Sequence, residues 1–201
     1  MKRTFFYYVF MALAVMTLAS ACDKDDFDAD YPSDEIEYDG SRKILVAYFS
    51  ATGNTQRRAE EIVAATGADV YRIEASEPYA SNPYDDSDRI QNESYNNLRP
   101  GVGNLPESID EYDVIFVGSP NWWGTMAPPV ATFLTRNDVA GKTVVPFFTH
   151  GGGGLQRCES DVRKLCPKAR VLKAATFSGG SIRSAGKAIA DWVGKSVTIK
   201  K

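Results

Sequence analysis

Three short stretches carry hydroxyl, amide and aromatic groups in the grouping of a small-molecule site: "SATGNT" at 50–55, "SPNWWGT" at 119–125 and "THGGGG" at 149–154. In the first, Ser50, Thr52 and Thr55 supply hydroxyl donors, Asn54 supplies an amide, and Gly53 permits a tight turn. A helix-like segment follows directly. Its unpaired first-turn amides and its dipole make an anion site that needs no cationic side chain. The triphosphate pattern GxxxxGK[ST] is absent, because no lysine follows the glycine. The dinucleotide pattern GxGxxG is absent too, since "GVGNLP" at 101–106 has Pro106 where the third glycine belongs. A monophosphate held mainly by neutral groups fits this loop better than a nucleoside triphosphate. The alternative use of the same residues is a helix N-cap by Thr52 or Asn54.

The second stretch puts Trp122 and Trp123 beside Gly124, directly beyond an apolar strand that runs on into Pro120 and Asn121. An exposed tryptophan there is costly unless it covers something flat and apolar, and one of the pair is expected to fill the core instead. In the third stretch, consecutive glycines let backbone approach a planar ligand and donate amides to its polar edge. Thr149 and His150, the only histidine, precede them, and His150 is the candidate hydrogen-bonding or proton-donating group. No metal site is expected. Cys158 and Cys166 lie eight residues apart in an expected helix. That spacing is about 12 Å along the axis, beyond disulfide reach. Neither belongs to a CxxC pair, which argues against thiol redox chemistry.

Strands and helices alternate from Lys43 onward. "KILVAYF" is a continuous apolar run, as in a strand covered on both faces, and "TQRRAEEIVAATG" is a helix stopped at Gly67. "DVYRIEA", "YDVIFVGSP", "KTVVPFFTH" and "RVLKAATFS" read as further strands. "APPVATFLTRN", "GLQRCESDVRKLC" and "SIRSAGKAIADWVGKSV" read as the helices between and after them. The pattern is that of an α/β protein with a five-stranded parallel sheet covered on both faces and joined by right-handed crossovers. Ligands of such sheets bind beyond the carboxyl ends of the strands, where the three loops converge. The connection from Ser76 to Ser108 is far longer than a crossover needs, with room for one short helix. Connections of that length are generally functional or ordered over a site.

The 201 residues, 43% hydrophobic and 24% charged, suit one globular domain plus an appended leader. No basic stretch is interleaved with aromatics, so nucleic acid is not an expected partner. Residues 1–21 have the layout of a secretory signal: Lys2 and Arg3, an apolar run to Leu18, then small residues before Cys22. Ala19, Ser20 and Ala21 before Cys22 resemble a bacterial lipobox, with Leu18 one residue further out than usual. The resemblance implies a lipidated Cys22 at the mature N-terminus; plain cleavage is the alternative. The mature chain then has 21 basic and 26 acidic residues, because cleavage removes Lys2 and Arg3 and no acid. Residues 22–42 are acidic and read as a flexible tether, leaving 43–201 as the domain. "CDKDD" at its start also resembles the acidic signals that carry some lipoproteins to the cell surface. The expected location is the cell envelope, at the periplasmic face or the cell surface, with lipid as the only membrane contact.

From Lys43 to the C-terminus the chain resembles the flavodoxin family. "YFSATGNT" resembles its phosphate loop, and "GSPNWWGT" resembles its ring-contacting loop in the flavodoxin-like subfamily that also has an "RP" segment, here Arg99-Pro100. The resemblance implies a flavodoxin-like three-layer sandwich with strand order 2-1-3-4-5, and FMN as cofactor. It implies that Ser50, Thr52, Gly53, Asn54 and Thr55 hold the phosphate. Pro120, Asn121, Trp122, Trp123 and Gly124 would flank the ring system, and Thr149, His150, Gly151 and Gly152 would meet its pyrimidine edge. Electron-carrying flavodoxins stack a tyrosine from the third loop on the flavin, whereas "THGGGG" has no aromatic.

Three functions follow as expectations. The leading one is a membrane-tethered FMN electron carrier receiving electrons from a protein or a quinol, because the space outside the inner membrane has no NAD(P)H pool. The second is an FMN-dependent reductase of quinones or similar acceptors, with His150 as proton donor and 76–108 as a lid. The third is a flavodoxin-fold binding module without redox chemistry.

Overall fold

The computed structural model describes residues 36–38, 42–179 and 185–199. The segment read as an export signal, Cys22 and most of the stretch read as an acidic tether lie outside those residues. In chain order the strands are β1 (Ile36–Tyr38), β2 (Ile44–Tyr48), β3 (Asp69–Arg72), β4 (Val114–Trp122), β5 (Thr125–Met126), β6 (Thr143–His150), β7 (Arg170–Val171), β8 (Ala175–Ser178) and β9 (Val197–Ile199). The helices are α1 (Asn54–Thr66), α2 (Ser87–Tyr95), α3 (Pro128–Arg136), α4 (Cys158–Leu165) and α5 (Ala185–Ser196).

The sheet runs β3-β2-β4-β6-β7, all parallel, so the strand after each crossover lands as an α/β sandwich requires. Side chains of successive strand residues point to opposite faces. Ile44, Val46, Phe116 and Phe147 accordingly join Ile62 of α1 and Ile189 and Trp192 of α5 in one core. Leu45, Ala47, Val117 and Phe148 join Val130 and Phe133 of α3 and Val162 of α4 in the other. Three layers follow from uninterrupted apolar runs in β2, β4 and β6. Helix α1 ends where expected: Gly67, at φ 70, donates its N–H to Val63 O at 2.8 Å. Pro128 opens α3 at its first position.

The sheet has seven strands rather than the expected five, and its order differs accordingly in two places. The fifth strand is broken into β7 and β8, both parallel to β6. Between the pairs Val144–Val171 and Phe147–Ala175, three steps on β6 face four on its partner, which is a bulge. Leu172 N–H donates to Val144 O at 2.9 Å, so the polar groups two residues on, at Pro146, face the same edge. Proline brings no N–H to continue the ladder. In the gap Ala174 N–H donates instead to Glu159 Oε2 at 2.8 Å. The other addition is β5, which folds back antiparallel on the end of β4.

Three residues of the segment read as a tether, Ile36–Tyr38, form β1 and pair in parallel with β9. The last helix, expected over 181–197, is described from Ala185 to Ser196. The long 76–108 connection contains α2, the short helix that its length allowed. Its neck is closed by the Ala75–Val102 bridge, by Ser76 N–H to Gly101 O at 2.8 Å and by Gly103 N–H to Glu74 O at 3.0 Å. Inside, the Arg89 guanidinium lies 4.1 Å from the Tyr79 ring centroid, and its Nε donates to Glu93 Oε1 at 2.9 Å. Glu93 also accepts from the Tyr79 hydroxyl. These ties make the excursion a packed unit. Cys158 and Cys166 are free thiols buried under α4, and burial pushes them up to about 12 and about 11, which keeps both protonated and unreactive. No helix among the described residues is long and apolar enough to cross a membrane.

Candidate functional site

At the carboxyl end of β2 the chain turns into α1 through residues 50–53. Gly53 stands at φ 85, a conformation that glycine enters without strain, and its N–H donates to Ser50 Oγ at 3.1 Å. The first intrahelical bond runs from Arg57 N–H to Gly53 O at 3.0 Å. The amides of Asn54, Thr55 and Gln56 precede it and have no acceptor within the helix. They form the positive end of a 13-residue helix with no lysine or arginine in residues 50–56. Arg57 is exposed, whereas Arg58 is buried and ion-paired to Glu61 at 2.9 Å with the Phe177 ring 5.9 Å away. Arg58 is therefore engaged in packing α1, Arg57 lies beyond residues 50–56, and the donors of the turn itself are amides and hydroxyls.

The second loop is a hairpin. Asn121–Met126 and Trp122–Thr125 pair antiparallel, and the two residues between them, Trp123 and Gly124, stand at φ 52 and φ 83. Positive φ at both positions is a type I′ turn, which normally takes Asn-Gly. The two tryptophans divide as expected. Trp122 is 8% exposed and packs edge-on against Phe49 at 5.3 Å and Tyr79 at 5.0 Å. Trp123 is 42% exposed, with Tyr95 of the long excursion 6.2 Å away. A left-handed tryptophan costs about 1 kcal/mol or more, and it is held here with much of its ring in solvent.

In the third loop, β6 ends on buried Thr149 and His150, and exposed Gly151–Gly153 follow. A Cβ added at Gly151 or Gly152 would meet nothing within 4 Å, so this backbone borders open space. His150 Nδ1 accepts from Gly152 N–H at 3.0 Å, and a neutral imidazole so engaged carries its proton on Nε2. The backbone O of His150 accepts from Gly179 N–H at 2.8 Å.

Side chains join the three loops. Thr55 Oγ1 and Thr149 Oγ1 share a buried hydrogen bond of 2.8 Å, tying the first loop to the third. Asn121 ties the second to the third: its Nδ2 donates to Gly154 O at 2.7 Å and Gln156 Oε1 at 3.0 Å, and its Oδ1 accepts from Gly124 N–H at 3.0 Å. The residues named from sequence thus converge on one edge in two groups. Thr52, Gly53, Trp123, Gly151 and Gly152 are open to solvent, whereas Thr55, Asn121, Trp122 and Thr149 hold the loops together. Pro120 is part of β4, paired with Thr149.

Two participants went unrecognised in the sequence. Gln156, at φ 46, is the strut that receives Asn121, and Tyr79 braces Trp122 from inside the excursion. The unusual length of the 76–108 connection pointed to that segment but not to Tyr79. Gln156 is one polar residue in a stretch read as helix, with no sequence signal.

No curated protein matches the chain. Among solved structures, a protein of Bacteroides eggerthii assigned as a flavoprotein is 37% identical, with 76% of this chain and 96% of that chain covered at a TM-score of 0.64. A protein of Bacteroides uniformis with the same assignment is 31% identical, with 76% and 98% covered and a TM-score of 0.68. A flavoprotein of Lactobacillus acidophilus, solved in complex with FMN, is 25% identical, with 68% and 93% covered and a TM-score of 0.59. The donor set here suits FMN: helix-end amides for a phosphate, an exposed tryptophan for an apolar ring, and glycine backbone facing open space for a polar ring edge. Residues 43–196 match the family model described as flavodoxin, and the chain belongs to that family.

Proposed function

We propose that this chain is an FMN-binding electron-transfer protein, exported and held to an envelope membrane by lipid on Cys22. The observation behind it is the convergence of a cation-free phosphate turn, an exposed strained tryptophan and an open glycine backbone on one sheet edge. FMN, when bound, supplies reversible electron acceptance. The protein's part is to hold the phosphate on the amides at the start of α1 and to cover the ring with Trp123. It also presents the backbone of Gly151 and Gly152 to the polar edge. With 26 acids against 21 bases in the mature chain, the surface disfavours added negative charge on the ring and lowers the reduction potential.

Trp123 allows a test with opposite signs. Trp123→Asn restores the Asn-Gly turn and should raise the unfolding free energy by about 0.5–1 kcal/mol in urea titration. The same change removes the ring's apolar cover and should weaken FMN binding several-fold. Equal losses in both would mean that Trp123 is simply a packing residue. The anchor is tested separately: cells fed labelled palmitate should label the wild-type chain and not Cys22→Ser.

A reductase of quinones or similar acceptors is the second reading. It is favoured by a third loop without an aromatic cover, and buried His150 at the end of β6 is its candidate proton donor. On that reading His150→Gln slows quinone reduction by about tenfold or more without releasing FMN. Unchanged quinone turnover in that variant leaves the carrier reading.

A further inference from the structure

A cavity of about 80 Å³ lies behind the hairpin, between the end of α2, strand β5 with the start of α3, and α4. No residue of the first or third loop lines it, and from the hairpin it takes Thr125 and Met126. Its floor is apolar, with Met126, Pro128 and Ala131 all buried and Leu165 beside them. Its mouth is basic, with exposed Arg99 and Lys164.

The two acids in its wall are already engaged. Glu93 accepts from Arg89 and from the Tyr79 hydroxyl. Asp161 accepts from Thr125 Oγ1 at 2.8 Å and is ion-paired to Arg157 at 3.1 Å and Lys164 at 2.7 Å. Among the described residues Arg99 has no such counter-charge. Its Nη1 donates to the backbone O of Asn97 and Leu98 at 2.9 and 3.1 Å, and partial burial of the guanidinium lowers its pKa. Ser94, another wall residue, is 5% exposed, and its Oγ has no hydrogen-bond partner among the described residues. A buried hydroxyl without a partner is destabilising, and here it stands in the same wall as the Arg99 guanidinium.

A single water needs about 10–15 Å³, so this space takes a ligand of roughly six heavy atoms. An amine would meet Arg99 and Lys164 with both acids committed elsewhere. A phosphate dianion would bring two charges to a wall in which Lys164 is already paired to Asp161, and would leave the apolar floor uncovered. A monoanion with a short hydrocarbon tail satisfies both halves. We propose that the cavity binds a short-chain aliphatic monocarboxylate, its carboxylate against Arg99 and Ser94 and its hydrocarbon on Met126, Ala131 and Leu165. Because β5 is both the wall of this site and the return strand of the hairpin, an occupant also bears on the loop that presents Trp123. The site stands independently of the cofactor.

Butyrate added to the purified, ¹⁵N-labelled chain tests this. The amides of Ser94, Arg99 and Met126 should shift saturably, with a dissociation constant on the order of millimolar for six heavy atoms. Arg99→Met should weaken binding about tenfold, the loss of one charge-assisted contact. Ala131→Leu, which fills the floor, should block butyrate while Arg99 remains. Phosphate, butylamine and sodium chloride at equal ionic strength should leave those amides unmoved. Non-saturating shifts, shifts centred elsewhere, equal binding of phosphate or butylamine, or butyrate affinity unchanged in Arg99→Met would each overturn the proposal.

Discussion

Gly118→Ala lowers the unfolding free energy by about 3 kcal/mol or prevents folding altogether. Gly118 is in the middle of β4, and a Cβ built there lies 2.2 Å from Cζ of Phe147 and 2.5 Å from Cε2. Phe147 is fully buried on neighbouring β6, whose backbone is fixed to β4 by the parallel ladder, so neither partner can retreat. The glycine is thus required by the close approach of an aromatic ring and not by a turn. Urea unfolding followed by circular dichroism measures the loss. Phe147→Leu in the same chain should recover part of it, and a double-mutant cycle gives the coupling. Additive losses in the two single variants would show that the clash is relieved by movement elsewhere.

Asn121→Ala costs about 2 kcal/mol of stability and weakens FMN binding by about tenfold or more. The carboxamide is the joint between the hairpin and the glycine loop, with one acceptor bond and two donor bonds. Alanine leaves Gly124 N–H and Gly154 O without these partners and frees the two loops to move apart. Asn121→Asp separates the contributions. It keeps the acceptor for Gly124 N–H but turns a carboxylate toward Gly154 O and Gln156 Oε1, so it should be at least as damaging as alanine. Fluorescence titration with FMN and thermal unfolding of both variants check the order. An aspartate variant that binds FMN like wild type would show that the loop joint does not govern the site.

Much of this architecture is legible in the sequence, for identifiable reasons. The runs in β2, β4 and β6 are long and uniformly apolar, so only strands covered on both faces accommodate them. Gly67 and Pro128 mark the end of one helix and the start of another by backbone chemistry alone. The broken fifth strand is harder. "RVLKAATFS" looks continuous because the cause of its break is Pro146 on the neighbouring strand, a residue that pattern reading places in a different element. The hairpin at Trp123–Gly124 is masked by a tryptophan in a position that normally takes asparagine. At the site, the loops and their glycines are visible because special backbone conformations demand special residues. The division of labour within them is not. Thr55 and Thr149 look alike in sequence to Thr52, yet two of them bond each other and one faces solvent. Gln156 and Tyr79 act through tertiary contacts to residues 35 and 43 positions away, and no local pattern encodes such distances.

The most direct measurement is a visible-absorbance and fluorescence titration of the purified chain with FMN, followed by reduction and reoxidation. Near-equimolar binding, quenching of flavin fluorescence and a yellow colour that bleaches on adding dithionite and returns in air are the expected result. A colourless chain that leaves FMN fluorescence unchanged, or a bound flavin that dithionite does not bleach, would contradict it.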